Sequence, residues 1–229
     1  MENNIISLGQ DQVKARQNTF ITNVYGLMTG ALAITGFIAW YVMGDQNLIE
    51  KIRPNYMILL LLELGVVMGL SFLLGKVSVN VARLLFVIYS ALNGLTFGVI
   101  LSFFTTASIA STFLITAGTF GIMSLYGYVT KKDLTSMGRI LMMALIGIII
   151  ASVVNFFLNS PQIYWVITYV GVVIFVGLVA YDTQKLKVLA TKLEGEEMEH
   201  KASIIGALTL YLDFINLFLL LLRIMGRRR

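Results

Sequence analysis

Seven long apolar blocks, at residues 20–43, 56–74, 84–104, 107–129, 140–158, 163–181 and 202–224, dominate this sequence. A block of about 18 or more apolar residues is long enough to cross a hydrocarbon core of about 30 Å. Inside that core no water is available to the backbone, so only helices and closed barrels span it. Blocks this long are helices rather than tilted strands of about ten residues. Composition agrees, with 58% of residues hydrophobic and 13% charged, against about half and about a quarter in soluble domains. The sequence therefore predicts an all-α polytopic membrane protein of seven transmembrane helices, spans 1 to 7. Residues 1–19 read as a polar amino-terminal tail and residues 20–229 as a single seven-helix domain. The first block exceeds the apolar core of about 7–15 residues that marks a cleavable signal peptide. No connection is long enough to hold a separate domain. The longest contains KLKVLATKLEGEEMEHK, starting at Lys185, a charged stretch expected to carry span 6 out of the lipid before a turn at Gly195.

Positive charge in the short connections sets the expected orientation. Lys14 and Arg16 precede span 1. Lys76 and Arg83 lie between spans 2 and 3, Lys131, Lys132 and Arg139 between 4 and 5, and Lys185, Lys187, Lys192 and Lys201 between 6 and 7. The connections between spans 3 and 4 and between 5 and 6 carry no Lys or Arg. This alternation puts the amino terminus in the cytoplasm. It also leaves Arg227, Arg228 and Arg229 outside if all seven spans cross completely, so a re-entrant last segment is the competing arrangement. Three glycine pairs at i, i+4, Gly26–Gly30, Gly65–Gly69 and Gly94–Gly98, have the spacing that lets membrane helices approach closely. Glycine is frequent in such helices, so the pairs speak for tight packing and for no particular activity.

The inventory of reactive side chains is short. Cysteine is absent and His200 is the single histidine, which removes disulfides, thiolate metal sites and any two-histidine zinc motif. No phosphate-binding glycine loop and no EF-hand loop occurs. Serines and threonines are scattered without a nucleophile motif, and in membrane helices such hydroxyls usually bond their own or a neighbouring helix. The expectation is a protein that is not an enzyme and has no nucleic-acid partner.

Three acids remain at or near membrane depth: Glu63, Asp182 and Asp213. Asp213 is the only charge between Ala207 and Leu222, and it lies about 15 Å into span 7 at 1.5 Å per residue. Asp182 stands at the cytoplasmic end of span 6, roughly 7 Å below the interface if that helix reaches Lys187. Spans 6 and 7 are consecutive and antiparallel, so the two carboxyl groups approach from the same side and meet after a modest shift of either helix end. Intramembrane acids usually face a bundle interior or a wet cavity and mark ion or proton pathways. Two close carboxylates in a low dielectric do not both ionise without a cation, so such a pair titrates as one unit and suits a shared proton or a hard divalent ion. The plainer readings are an interfacial Asp182 beside Lys185, a fold-stabilising hydrogen bond at Asp213, and a Glu63 paired with Asn93, Asn155 or a base. Tyr181 and Tyr211, each just before an aspartate, are expected to pack.

AYDTQKL at the end of span 6, followed by ALTLYLDFINLFLLLLRIMG, resembles the Bax-inhibitor family, the seven-helix proteins that carry the transmembrane Bax inhibitor motif; ALNGLTFG in span 3 is a weaker match. Short termini and connections make it similar to the bacterial pH-sensitive calcium-leak members, hence a multi-pass protein of the bacterial cell membrane. The resemblance implies two three-helix layers around a central span 7, and a slow, pH-sensitive calcium leak with Asp182 and Asp213 as the calcium- and proton-sensing pair. It also implies a basic latch for the second aspartate. The candidates are Lys76 and, behind it, Arg83; at Lys76 the planar two-pronged geometry of arginine is absent. Glu63 matches a family acid in span 2 only after a two-residue shift, and Asn216 lies one helical turn beyond Asp213. Calcium enters as the transported ion rather than a resident cofactor. Besides a leak channel, two functions stay open: a proton-coupled calcium or cation antiporter using the same acids, and a non-transporting partner that modulates a membrane protease or another channel.

Overall fold

The computed structural model describes the backbone of residues 2–73, 75–193 and 195–229, and within these the side chains of residues 14–72, 75–193 and 195–229. Helix accounts for 88% of the chain. The helices are α1 (Glu2–Met43), α2 (Gln46–Ile52), a 3-10 turn (Arg53–Asn55), α3 (Tyr56–Leu73), α4 (Val79–Leu101), α5 (Thr106–Val129), α6 (Thr135–Leu158), α7 (Pro161–Ala190) and α8 (Glu196–Met225). Among the described residues seven stretches are long and apolar enough to cross a membrane, α2, the 3-10 turn and α3 together making the second. The expected all-α, seven-span class is the one observed.

Local chemistry explains where the helices stop. Asp45 caps α2 by accepting hydrogen bonds from the backbone N–H of Asn47 at 2.9 Å and Leu48 at 3.4 Å. Ser78 and Thr105 cap α4 and α5 in the same way. The α6–α7 turn takes a left-handed residue, Asn159 at φ 50°, and α7 then starts on Pro161, which gives up no hydrogen bond at a first helical position. Gly195, at φ +90°, forms the turn that the sequence placed there, immediately before α8.

The helices overrun the apolar blocks at their polar ends. The amino-terminal tail is helical from Glu2, α7 continues to Ala190, and α8 begins at Glu196 instead of near Ala202. The start of α8 is supported by i, i+4 pairs, Lys201 with Glu197 at 2.8 Å and His200 with Glu196 at 3.5 Å.

By contact the chain divides into two compact units, Met1–Phe103 with Leu186–Tyr211, and Phe104–Lys185 with Leu212–Arg229. In the first, α1 and α3 pack on α4. Of the three glycine pairs only Gly94–Gly98 makes a close helix contact. A Cβ on Gly94 would lie 2.7 Å from the Ile38 Cβ, and one on Gly98 would run into Val42, whereas Gly26, Gly30, Gly65 and Gly69 face open space. Fully buried Tyr211 anchors the same unit, its ring edge-on to Phe86 and Tyr89 and its hydroxyl 2.7 Å from Thr35 Oγ1. The single Thr35 proton has two carbonyl acceptors in reach, Ser90 at 2.8 Å and Ala31 at 3.0 Å, and with it given to either one Tyr211 is the donor to Thr35.

The second unit is built on Ile174, Phe175, Leu178, Leu217 and Leu220, with Phe113, Phe120, Phe214 and Phe218 in edge-to-face contacts between α5 and α8. Its carboxyl-terminal end is tied down. Thr105 N–H donates to the Arg227 carbonyl at 2.9 Å, Arg227 N–H donates to Ser108 Oγ at 2.9 Å, and Phe104 and Arg228 form an antiparallel bridge. The chain therefore ends beside the connection into α5. α8 is unbroken over 30 residues and is long and apolar enough to cross a membrane.

Candidate functional site

The AYDTQK stretch of α7 docks onto the second unit residue by residue. The Ala180 backbone lies where a Cβ on Gly127 of α5 would go, and the Tyr181 ring lies where one on Gly138 of α6 would go. Glycine at these two positions is what lets α5 and α6 close on α7. Thr183 Oγ1 donates to Ser124 Oγ at 3.4 Å. Gln184 holds the α5–α6 connection with both ends of its amide: Nε2 donates to the Lys132 carbonyl, and Oε1 accepts from Leu134 N–H, each at 2.8 Å. Lys185 Nζ sits 5.9 Å over the Tyr181 ring. In the connection itself, outside the spans, Asp133 accepts hydrogen bonds from the Thr135 side chain and backbone, which hold its carboxyl below the usual range.

Asp182 faces inward from this anchored segment. α7 runs on to Ala190, so Asp182 is roughly 12 Å of helix from its end. It lies beside Asp213 of α8. The two carboxyl groups lie close enough to act on each other directly, and both are buried, at 6% and 5% exposure. Carboxylates are acceptors only, so a bond between them requires one proton shared by the two. Asp213 Oδ2 is buried without a hydrogen-bond partner among the described residues, and an unsatisfied buried acceptor is costly. Lys185 is the cation whose field reaches Asp182. Such an arrangement can hold one proton between the two groups, and a link made through that proton is lost when the proton leaves or a cation replaces it.

The other candidates fall elsewhere. Glu63, on α3, accepts a hydrogen bond from Thr96 Oγ1 of α4. It is a third buried acid, in the first unit, and Asn93 of α4 instead donates to the Tyr89 carbonyl of its own helix. Asn216 donates to the Leu212 carbonyl at 2.8 Å, a bond within its own helix. Lys76 and Arg83 are exposed, and neither forms an ion pair among the described residues. Among the described residues no three acids or histidines converge as a metal site. Ser124, Gln184 and the buried face of α5 were not anticipated. Ser108, Thr112, Thr116 and Ser124 lie on that face, with Phe120 interrupting the run. Thr112 Oγ1 is buried without a partner among the described residues. Their four-residue spacing was visible in TASIASTFLITAGTFGIMS, but the fact that this face is buried was not.

The family profile described as "Inhibitor of apoptosis-promoting Bax1" matches residues 17–229. The chain belongs to the Bax-inhibitor family. Its similarity to bacterial members of known sequence is close throughout: inner membrane protein YbhL of Escherichia coli K12 is 51% identical over 223 residues, 95% of each chain. An uncharacterized protein of Borreliella burgdorferi is 45% identical over 217 residues, 93% of this chain and 94% of its own. One from Deinococcus radiodurans is 41% identical over 224 residues, 97% and 96% of the two chains. Family membership and seven apolar helices together make this a multi-pass bacterial membrane protein. Within this Bax-inhibitor protein, the motif at residues 180–185 is the segment that positions Asp182 against Asp213.

Proposed function

We propose that the chain is a pH-sensitive calcium leak channel of the bacterial cell membrane, with the Asp182–Asp213 pair as its proton- and calcium-responsive element. One observation carries this reading: two buried carboxyl groups from consecutive helices lie against each other, while Asp213 Oδ2 has no hydrogen-bond partner among the described residues. A purely structural hydrogen bond would have been satisfied by a neutral amide without an intramembrane acid on both sides.

Calcium takes six to eight oxygens at about 2.3–2.6 Å. Two aspartates supply at most four, so water, hydroxyls or carbonyls complete the shell, and occupancy is brief, as conduction requires. The ion and the shared proton compete for the same oxygens, so calcium occupancy falls as pH drops. Losing the proton or gaining the ion changes the link between α7 and α8, the local event through which pH reaches the path. Lys76 or Arg83 is the proposed latch in the alternative state, the amino terminus is cytoplasmic, and the protein acts without enzymatic chemistry.

Purified protein in dye-loaded liposomes tests the reading. Calcium entry well above that of empty vesicles, running only down its gradient, is the expected result. Uphill calcium movement driven by a proton gradient alone would instead make it an antiporter. Flux no greater than from empty vesicles, with folded protein, would move the function to a non-transporting membrane partner.

A further inference from the structure

A cleft of about 550 Å³ lies where the end of α6, the first turn of α7 and the last turn of α8 meet. It belongs to the second unit, and the aspartate pair does not use it. Arg223 is the only charged residue lining it; the polar remainder is Ser152, Asn155, Asn159 and Ser160, and no carboxylate contributes. The Arg223 guanidinium sits over the Tyr164 ring, 5.3 Å from its centroid, a contact that uses none of its N–H donors. Among the described residues it makes no ion pair. Asn155 commits its Oδ1 to Ser160 N–H at 3.0 Å, which leaves its amide N–H groups to donate into the cleft. The lining thus supplies a fixed cation and neutral donors, with nothing to repel an anion.

The surroundings say what kind of anion fits. Leu141, Ala144, Leu145 and Ile148 turn one face of α6 to the core, and the other face, with Ile146, Ile149, Ile150, Val153 and Phe157 exposed, is an apolar surface suited to lipid. Phe156, itself a lining residue, is 68% exposed. Trp165 and Tyr169, exposed and stacked on one another, stand beside it on α7, in the manner of the aromatic belts that mark the headgroup level. A small anion would use the polar floor and leave the apolar wall empty. An amphiphile uses both.

We propose that this cleft holds the phosphate of an anionic glycerophospholipid, with Arg223 as the charged ligand and its acyl chains lying along α6. A planar guanidinium meets a phosphate with two parallel N–H···O bonds, which an ammonium does not reproduce.

Native mass spectrometry of the full-length purified protein, titrated with phosphatidylglycerol, phosphatidylcholine or inorganic phosphate, tests the proposal. Phosphatidylglycerol should bind in preference to phosphatidylcholine, and Arg223→Gln should weaken it about tenfold, the effect of losing one charge-assisted contact. Arg223→Lys should fall between the two. Arg139→Gln, at the other end of α6, should change nothing. Should Arg223→Gln fail to fold, Asn155→Asp, which keeps the oxygen bonded to Ser160 N–H and replaces the donor amide by a carboxylate, is expected to lower phosphatidylglycerol affinity several-fold. Undiminished phosphatidylglycerol binding in the variants would overturn the proposal. So would equal affinity for the two lipids, or inorganic phosphate binding with the same dependence on Arg223, which would make the cleft a small-anion site.

Discussion

At the residue scale, the AYDTQK motif separates into side chains that position and a side chain that responds. Gln184 positions: its amide ties down two backbone groups of the α5–α6 connection at once. Gln184→Leu keeps the size and removes both bonds, leaving Leu134 N–H without its partner. We expect a loss of about 1–2 kcal/mol, seen as a lower unfolding temperature in detergent, and nearly no change for Gln184→Glu at the Leu134 contact, because the accepting oxygen is kept. Equal losses for both variants would show that the amide nitrogen, bonded to Lys132, carries the clamp. Asp182 was legible as a candidate because an acid near the end of an apolar block stands out. Asp213 was more so, as the only charge in its run. Gln184 and Ser124 were not, because a polar residue near a helix end has many uses, and only the neighbouring helix selects one.

At the element scale, the spans could be read from the sequence because apolar length is a property of one segment alone. Helix beyond the lipid could not. The ends of α1, α7 and α8 carry polar residues that give no hydropathy signal, and the short α2 depends on Asp45 as its cap. That same connection holds Lys51 and Arg53, accompanied by Asp45 and Glu50, so the charge alternation that orients the spans is less complete than the other connections suggest. The glycine pairs make the limit sharpest. Three share one spacing, yet only Gly94–Gly98 touches a partner helix, since spacing fixes a face and not what it meets. Gly98→Leu should therefore destabilise the protein by about 1–3 kcal/mol through overpacking against Val42, while Gly65→Leu should be near neutral. Thermal unfolding of the two variants side by side checks this, and equal losses would contradict the assigned packing.

At the scale of the whole molecule, burial is unevenly shared among the spans, from none of the most apolar stretch of α6 to 67% of that of α8. Asp213, the one charge between Ala207 and Leu222, thus sits on the span with the largest buried share, which is how an acid within such a run is tolerated. Single cysteines at Leu212 and Asn216, both only partly exposed, should react slowly with a membrane-impermeant thiol reagent applied outside; with no native cysteine the readout has no background. Rapid labelling of both would contradict so enclosed a helix. The central claim is that Asp182 and Asp213 act as a single titrating unit that controls calcium leak. Its most direct test is calcium flux against pH in liposomes for the wild type, Asp182→Asn, Asp213→Asn and the double variant. Either single change removes the shared proton while nearly preserving shape. The account predicts that each flattens the pH profile and that the double variant is no flatter than either, the non-additivity of residues that work together. Two separate shifts of the profile, adding in the double variant, would show two independent acids and contradict it.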